Sequence, residues 1–498
     1  MTLGQKIATG TAWLFFARAT GQVLGLASTI VVARFVTPED YGVFAAAMGL
    51  LVMVSVFAEF PVGQAIIQLQ DATEDDYDTA FTIGILRGSI LALFLLLFAP
   101  LLASVIRDPR VSPVVMALAG YVFILGLRNP RLEWFARNMD FSRESYLEIG
   151  SKFIQFAAAG IFAVLMQSYW ALVIAVTANA TAQVIISYGL RPRVPRFTLK
   201  AFRRLFSYSV WMAGSSIMGQ VYQLIDTITL GRISGTASLG AYSMGGLLAS
   251  RIAELLSVPA SRPLFAAIAQ IQTETERLSE AVLDSMRFMA FLIVPIAITL
   301  TLLAEPIILL LLGPQWNSAV LVSQALAVIS LSLIAYIPLQ AVLMGTGRTH
   351  ILFLRVFIFV IFYMPLTIYA VIQHGLTGLL AIKVTMVLLT ALIDMLVLSQ
   401  ITRASILNQA GALMRPAIGG GAMTVLYMSL SPFIPTSGPT LGVIVPLVCV
   451  GTIGGAVYLL FLLGSWRLAG SPPGAEAKII RLMQKGMQLL KLRLARQS

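Results

Sequence analysis

Apolar positions along this chain come in long uninterrupted blocks, not at the spacing of two that marks half-buried strands. Scanning for blocks of about 20 residues, the length that crosses a ~30 Å hydrocarbon core, gives about fourteen. They lie at roughly 9–33, 42–68, 79–106, 112–127, 148–166, 169–190, 206–231, 239–258, 286–303, 319–344, 351–372, 376–400, 413–433 and 441–463. The fourth is the shortest. Lipid cannot satisfy backbone N–H and C=O groups, so such blocks must be helices, and the alternation a closed barrel needs is absent. The expected fold is therefore all-α, a polytopic membrane protein. The N-terminal block carries Arg18 midway and lacks a small-x-small cleavage site, so it reads as a retained first helix.

The first and seventh blocks repeat one another at a constant offset of 198 residues. Trp13 matches Trp211, Gly21-Gln22-Val23 matches Gly219-Gln220-Val221, and Leu26 matches Leu224. Thr29-Ile30 pairs with Thr227-Ile228 and Arg34 with Arg232; Gly42, Leu50 and Pro61 recur as Gly240, Leu248 and Pro259. Six spans separate the copies, and an even number returns the chain to the same side of the membrane. The halves should then be parallel repeats about an axis along the membrane normal. The expected organisation is an N-terminal lobe at 1–205 (helices 1–6) and a C-terminal lobe at 206–401 (helices 7–12). Two added helices follow at 402–465, then a cytoplasmic basic amphipathic tail at 466–498.

Composition agrees with burial in lipid: 58% of residues are hydrophobic and 11% charged, where a soluble chain carries about 25% charged. The formal charge of +12 would suit nucleic acid, but its distribution does not. With the N-terminus inside, 26 of the 34 Lys and Arg fall in cytoplasmic segments and four (Arg34, Arg107, Arg110, Arg232) on the other side. That is the positive-inside asymmetry; it places both termini in the cytoplasm and excludes nucleic acid as the reason for the charge. The loop near 259–287 reads as a surface helix with Glu274, Glu276, Arg277 and Glu280 on its wet side. Beyond Ser-Pro-Pro-Gly at 471–474, Ile479, Ile480, Met483, Met487, Leu490 and Leu494 share one face and Lys478, Arg481, Lys485 and Gln488 the other. This pattern suits anionic inner-leaflet lipids as a partner.

In the first span Thr11, Arg18, Gln22, Gly25 and Thr29 form one stripe. At the repeat offset the seventh span presents Ser209, Ser216, Gln220, Gln223 and Thr227. Both stripes should face the protein, either across a shared cavity or as polar glue between packed helices. A charge at mid-span costs about 2.5–3.5 kcal/mol, so each such residue needs a cavity or a partner. Arg18 and Arg251 lie nearest their span centres. Arg251 and Glu254 are three apart and can pair; Arg87 can snorkel. Lys383 and Asp394 share a face but stand about 16 Å apart. Glu59, Asp226, Glu254 and Asp394 can relay protons or cations, or merely neutralise neighbouring arginines. Nothing signals an enzyme. His350 and His374 sit at span edges without metal-ligand spacing, no P-loop is present, and Cys449 is the single cysteine. No metal, cofactor or catalytic residue is expected.

Several segments resemble those of a known family. Arg34-Phe35-Val36-Thr37-Pro38-Glu39-Asp40-Tyr41-Gly42-Val43-Phe44 resembles the "aRxLtPeDfG" segment of the polysaccharide transporter family, the O-antigen and exopolysaccharide flippases of the multidrug/oligosaccharidyl-lipid/polysaccharide exporter superfamily. Glu59-Phe60-Pro61-Val62-Gly63-Gln64-Ala65-Ile66-Ile67-Gln68 is similar to its "DlGlsxAlIq" segment, with Glu for Asp and Pro61 for a small apolar residue. Asn129-Pro130-Arg131 with Arg137-Asn138-Met139-Asp140-Phe141, and Ala304-Glu305-Pro306-Ile307 with Gly313-Pro314-Gln315-Trp316, are similar to two later segments. The resemblance implies a bacterial inner-membrane flippase for undecaprenyl-pyrophosphate-linked oligosaccharide, working by alternating access of two lobes. A polysaccharide polymerase and chain-length machinery are candidate partners. On this reading Arg18 and Arg251 attract the pyrophosphate or acidic sugars, and Gln22, Gln220 and Gln223 bond sugar hydroxyls. An ion-coupled multidrug exporter of the same superfamily and a membrane polymerase or ligase are the alternatives; the latter lacks the periplasmic loop such enzymes need.

Overall fold

The computed structural model describes residues 3–57, 66, 72–137, 141–193, 195–203, 222, 224–247, 264, 268, 270–272, 274–435 and 440–470. Among them every regular element is a helix: α1 (Leu3–Phe35), α2 (Pro38–Phe57), α3 (Glu74–Ile106), α4 (Val111–Gly126), α5 (Phe141–Met166) and α6 (Trp170–Leu190). There follow α7 (224–233), α8 (235–247), α9 (Thr275–Leu302), α10 (Asn317–Ser330), α11 (Leu333–Gly345), α12 (Thr349–Thr402), α13 (Ile406–Leu430) and α14 (Thr440–Leu468). Most of the seventh span and the basic tail lie outside the described residues, so the expected count of fourteen spans is not fixed by them. Six of the described helices are long and apolar enough to cross a membrane, seven when α10 and α11, bent by 45° at their junction, are taken as one.

The helices present apolar side chains outward. On α3, Ile90, Leu93, Leu97 and Leu101 are exposed, while Leu91, Leu95 and Leu102 are buried. A stripe of that size facing water would drive association; facing acyl chains it is at no disadvantage. The chain is a polytopic helical membrane protein. Its contacts cluster into two compact units, Met1–Ser243 with Met364–Leu379, and Met244–Tyr363 with Leu380–Ser498.

In the first unit the start of α3 is tied down by polar side chains. Thr73 N–H donates to Asp76 Oδ2 (2.7 Å), a cap for the first turn. The 5%-exposed Arg131 donates to Glu74 (2.6 Å) and Asp78 (2.8 Å), and Asn129 Nδ2 reaches the carbonyl of Arg191 (3.0 Å). A buried guanidinium left without these carboxylates would be far more costly than the pair itself.

In the second unit one sequence expectation changes. Glu276, Arg277 and Glu280 belong not to a separate surface helix but to the first turns of α9, which runs unbroken into the ninth span. Helix α12 is continuous by its hydrogen bonds, yet Gly375 has φ 57° and ψ −135°, a left-handed conformation that glycine adopts without penalty. Arg355 and Asp394, 39 residues apart, touch at 2.6 Å; on a straight helix they would be about 58 Å apart. The element is therefore a hairpin of two arms, matching the separate eleventh and twelfth blocks of the sequence. Its neighbours α13 and α14 dock on α9 at Pro295. That proline has no N–H for the carbonyl of Phe291, four residues back, and the Tyr458 hydroxyl of α14 donates to it instead (3.2 Å). Tyr427 of α13 sits over Gly454 of α14, and Tyr458 over Gly419, so each helix receives the other's ring where it has no side chain.

Candidate functional site

The 198-residue offset reappears in the elements of the first unit. Helix α1 ends at Phe35 and α2 begins at Pro38; α7 ends at 233 and α8 begins at 235. The two turns meet. A Cβ built on Gly42 would run into the backbone oxygen of Thr236, and one built on Gly240 into the backbone oxygen of Pro38. Pro38 and Thr236 are themselves 198 apart, so the contact is reciprocal, as a two-fold relation between the segments requires. Only glycine admits so close an approach of two helix starts. Two turns along α2, Gly49 packs on Thr227 of α7, where a Cβ would stand 2.6 Å from the methyl carbon.

A polar clamp spans the same end. Arg110 Nη2 donates to Glu39 (2.6 Å) and to Asp108 (2.8 Å), and Asp108 Oδ2 accepts from the Thr236 hydroxyl (3.1 Å). Arg232 Nη1 donates to the carbonyl of Val105 (3.1 Å). Burial pushes the Asp108 carboxyl up, but the hydrogen bonds and charge of Arg110, with the Thr236 hydroxyl, outweigh it and hold it below the usual carboxylate range. The same bonds raise Arg110, led by the one to Asp108.

Deeper in the unit, Asp226 of α7 is 1% exposed and accepts from the Tyr242 hydroxyl of α8 at 2.5 Å. Gln22 is partly buried on α1. Its neighbour Gly21 faces α5, 3.5 Å from Glu148 Oε1 and 3.9 Å from Lys152 Cγ by the position of an added Cβ. That level is about 21 Å along the axis from the Phe35 end of α1. Arg87 is partly buried on α3.

In the second unit Asp394 is fully buried and takes both guanidinium bonds of Arg355 (2.6 and 2.7 Å), with the Arg355 guanidinium 4.6 Å from the centre of the Tyr336 ring. Both carboxylate oxygens are thus occupied, and ion coupling at Asp394 would first have to break this pair. Lys383, 8% exposed, lies on the same arm. The candidates are thus divided: Gln22, Arg87 and Asp226 lie in the first unit, Lys383 and Asp394 in the second. The Arg18 side chain, Glu59, Gln220, Gln223, Arg251 and Glu254 fall outside the described residues. Among those described, no three His, Cys, Asp or Glu are grouped to hold a metal ion. A groove of about 570 Å³ beside α4, α5 and α6, lined by Ala117, Ile154, Val173 and Ala178 among others, contains none of the candidate residues.

Sequence reasoning missed Tyr242, Lys152, Glu148, Arg355 and Tyr336. Arg355 had a signal: it and Asp394 are equidistant from the His374-Gly375 break. Tyr242 had none, since a tyrosine in an apolar run is ordinary.

Comparison with known proteins adds independent evidence. A family model described as "Polysaccharide biosynthesis protein" matches residues 31–321. The lipopolysaccharide biosynthesis protein WzxC of Escherichia coli (strain K12) is 22% identical over 71% of this chain and 73% of its own. The succinoglycan biosynthesis transport protein ExoT of Rhizobium meliloti (strain 1021) is 23% identical over 64% and 65%. In fold the chain is similar to the lipid II flippase MurJ in an inward closed conformation, with a TM-score of 0.71 at 14% identity, covering 92% of this chain and 99% of that one.

Proposed function

Because the chain belongs to the polysaccharide biosynthesis protein family, and is thus a membrane transporter of polysaccharide biosynthesis and not an enzyme, we propose that it flips undecaprenyl-pyrophosphate-linked oligosaccharide from the cytoplasmic to the periplasmic leaflet. A sugar headgroup entering hydrocarbon loses hydroxyl partners at several kcal/mol each, so passage needs a polar lining and alternate closure of its two ends. The observation that carries this reading is the reciprocal contact at Gly42 and Gly240. It brings the two repeat copies together at the turn between α1 and α2, the end that the charge distribution assigns to the periplasm, and at the glycines themselves backbone meets backbone with no side chain between. With that end closed, cargo enters from the cytoplasmic side.

On this proposal both termini are cytoplasmic and the membrane is the bacterial inner membrane. Arg18 and Arg251 attract the pyrophosphate, Gln22, Gln220 and Gln223 bond sugar hydroxyls, and Asp226 with its tyrosine partner is the first candidate for ion coupling. Glu59 and Glu254 remain candidates from sequence. The test is replacement of Arg18 or Arg251 by Ala in cells. Surface or exopolysaccharide should be lost while its lipid-linked repeat unit accumulates in the inner leaflet. Normal polymer output from both variants sinks the assignment of those arginines. Normal output from a gene deletion, with export of small cations by the purified protein, would replace the cargo with a drug.

A further inference from the structure

The segment between α6 and the seventh span is fastened along the side of α3. Thr198 N–H donates to the Thr82 hydroxyl (3.0 Å) and Ala201 N–H to the Thr79 hydroxyl (3.2 Å). Ala201 packs with the buried Ile66, Tyr77 and Ala80, and the ring of Phe197 lies 5.9 Å from that of Phe81. Arg193 pairs with Glu74 (3.1 Å). The backbone of 195–203 is thus held at a fixed height on α3, although it forms almost no regular structure of its own.

That height coincides with a membrane surface. Thr82 lies 24 residues from the outer end of α3, about 36 Å along the axis, so it stands roughly 6 Å beyond a ~30 Å hydrocarbon core, among headgroups. The exposed apolar side chains of α3 begin one turn later, at Leu86. The exposed side chains of the segment are unusual for a loop. Phe197 is 74% exposed, Leu199 49% and Phe202 42%. Interleaved with them are Arg196, Lys200 and Arg203, all exposed. Arg196 and Arg203 have no acidic partner among the described residues, and the contact of Lys200 with Asp75 is long (3.9 Å) between two exposed side chains. Three cations and three apolar groups held at headgroup height match an anionic leaflet, in which the cations meet phosphate and the apolar groups enter the acyl boundary.

We propose that residues 195–203 are an interfacial strap that binds the headgroups of anionic phospholipids in the cytoplasmic leaflet. Through Thr79 and Thr82 the strap fixes the height of α3 in the membrane. The proposal needs the orientation of the helices but not the nature of the cargo.

The test uses the full chain with Cys449→Ala and Phe197→Cys, labelled with an environment-sensitive fluorophore and reconstituted into nanodiscs of phosphatidylcholine, with or without phosphatidylglycerol. Expected is protection of the label from aqueous iodide that grows with phosphatidylglycerol content. A basic residue near such a surface shifts bound against unbound about fivefold. R196Q, K200Q and R203Q together should therefore return the label to its quenching in pure phosphatidylcholine. The lipid series in the unneutralised chain does not depend on how that variant folds. Equal quenching in both lipid compositions overturns the proposal. So does protection that appears only on adding lipid-linked oligosaccharide, which would make the segment a cargo contact.

Discussion

Replacing Gly42 by Ala puts a methyl group where the Thr236 carbonyl oxygen already lies. Carbon and oxygen rest at about 3.5 Å, so the starts of α2 and α8 must part by about 1.8 Å. Overpacking of one methyl against backbone typically costs about 1–3 kcal/mol, and the penalty falls only on the arrangement in which the two glycines meet. The gain of Ala over Gly in helix propensity, about 1 kcal/mol, is shared by the closed and parted forms and cancels between them. The variant should therefore shift the equilibrium toward the parted form by about 5- to 150-fold. Gly240→Ala loads the same contact from the other side, so the double variant should fall short of the sum. The assay places a cysteine at Ala46, fully buried on α2 one turn beyond Gly42, in a Cys449→Ala chain, and follows labelling by a membrane-impermeant maleimide added from outside. The rate should rise by that factor in either variant. An unchanged rate in both, with protein of normal size on gel filtration, would show that the two glycines do not hold this end closed.

The clamp beside the glycines gives a pH prediction. With Asp108 held below the usual carboxylate range, its contribution is complete above the ordinary value near 3.8 and is lost only as pH falls through the lower folded one. Labelling at Ala46→Cys should thus be flat from neutral pH down to about 5, whereas Asp108→Asn should raise it throughout. Asp394→Asn leaves the Arg355 guanidinium without its charge partner, and should lower the melting temperature by the equivalent of about 3–5 kcal/mol. If Asp394 is instead a coupling site, transport fails with the melting temperature unmoved. Tyr458→Phe orphans the Phe291 carbonyl beside Pro295 and should destabilise by about 0.5–1.5 kcal/mol in thermal melts, with no effect on transport at saturating cargo.

The helices were readable because lipid leaves the backbone no alternative, and even the short block 112–127 forms α4. The break at Gly375 was visible as an interruption in the apolar pattern. The start of α9 was misread because charges at Glu276 and Arg277 look like a surface element, although a 28-residue helix simply emerges from the membrane. Of the site, Gly42 and Gly240 stood out as a repeated pair. Their contact did not, because a repeat states that two segments are alike and says nothing of where they touch. The bond of Asp226 to Tyr242 depends on how α8 folds back on α7, a tertiary fact that spacing along one helix cannot carry.

The folded-back arms of α12 bear on how this chain enters the bilayer. Arg355 and Asp394, threaded into lipid separately, would each carry an unpaired charge at a cost. Being equidistant from the His374-Gly375 break, they come level as soon as the second arm has been synthesised, so the two arms can leave the translocon with this pair already made. The first arm must then wait, beside the channel, for the second.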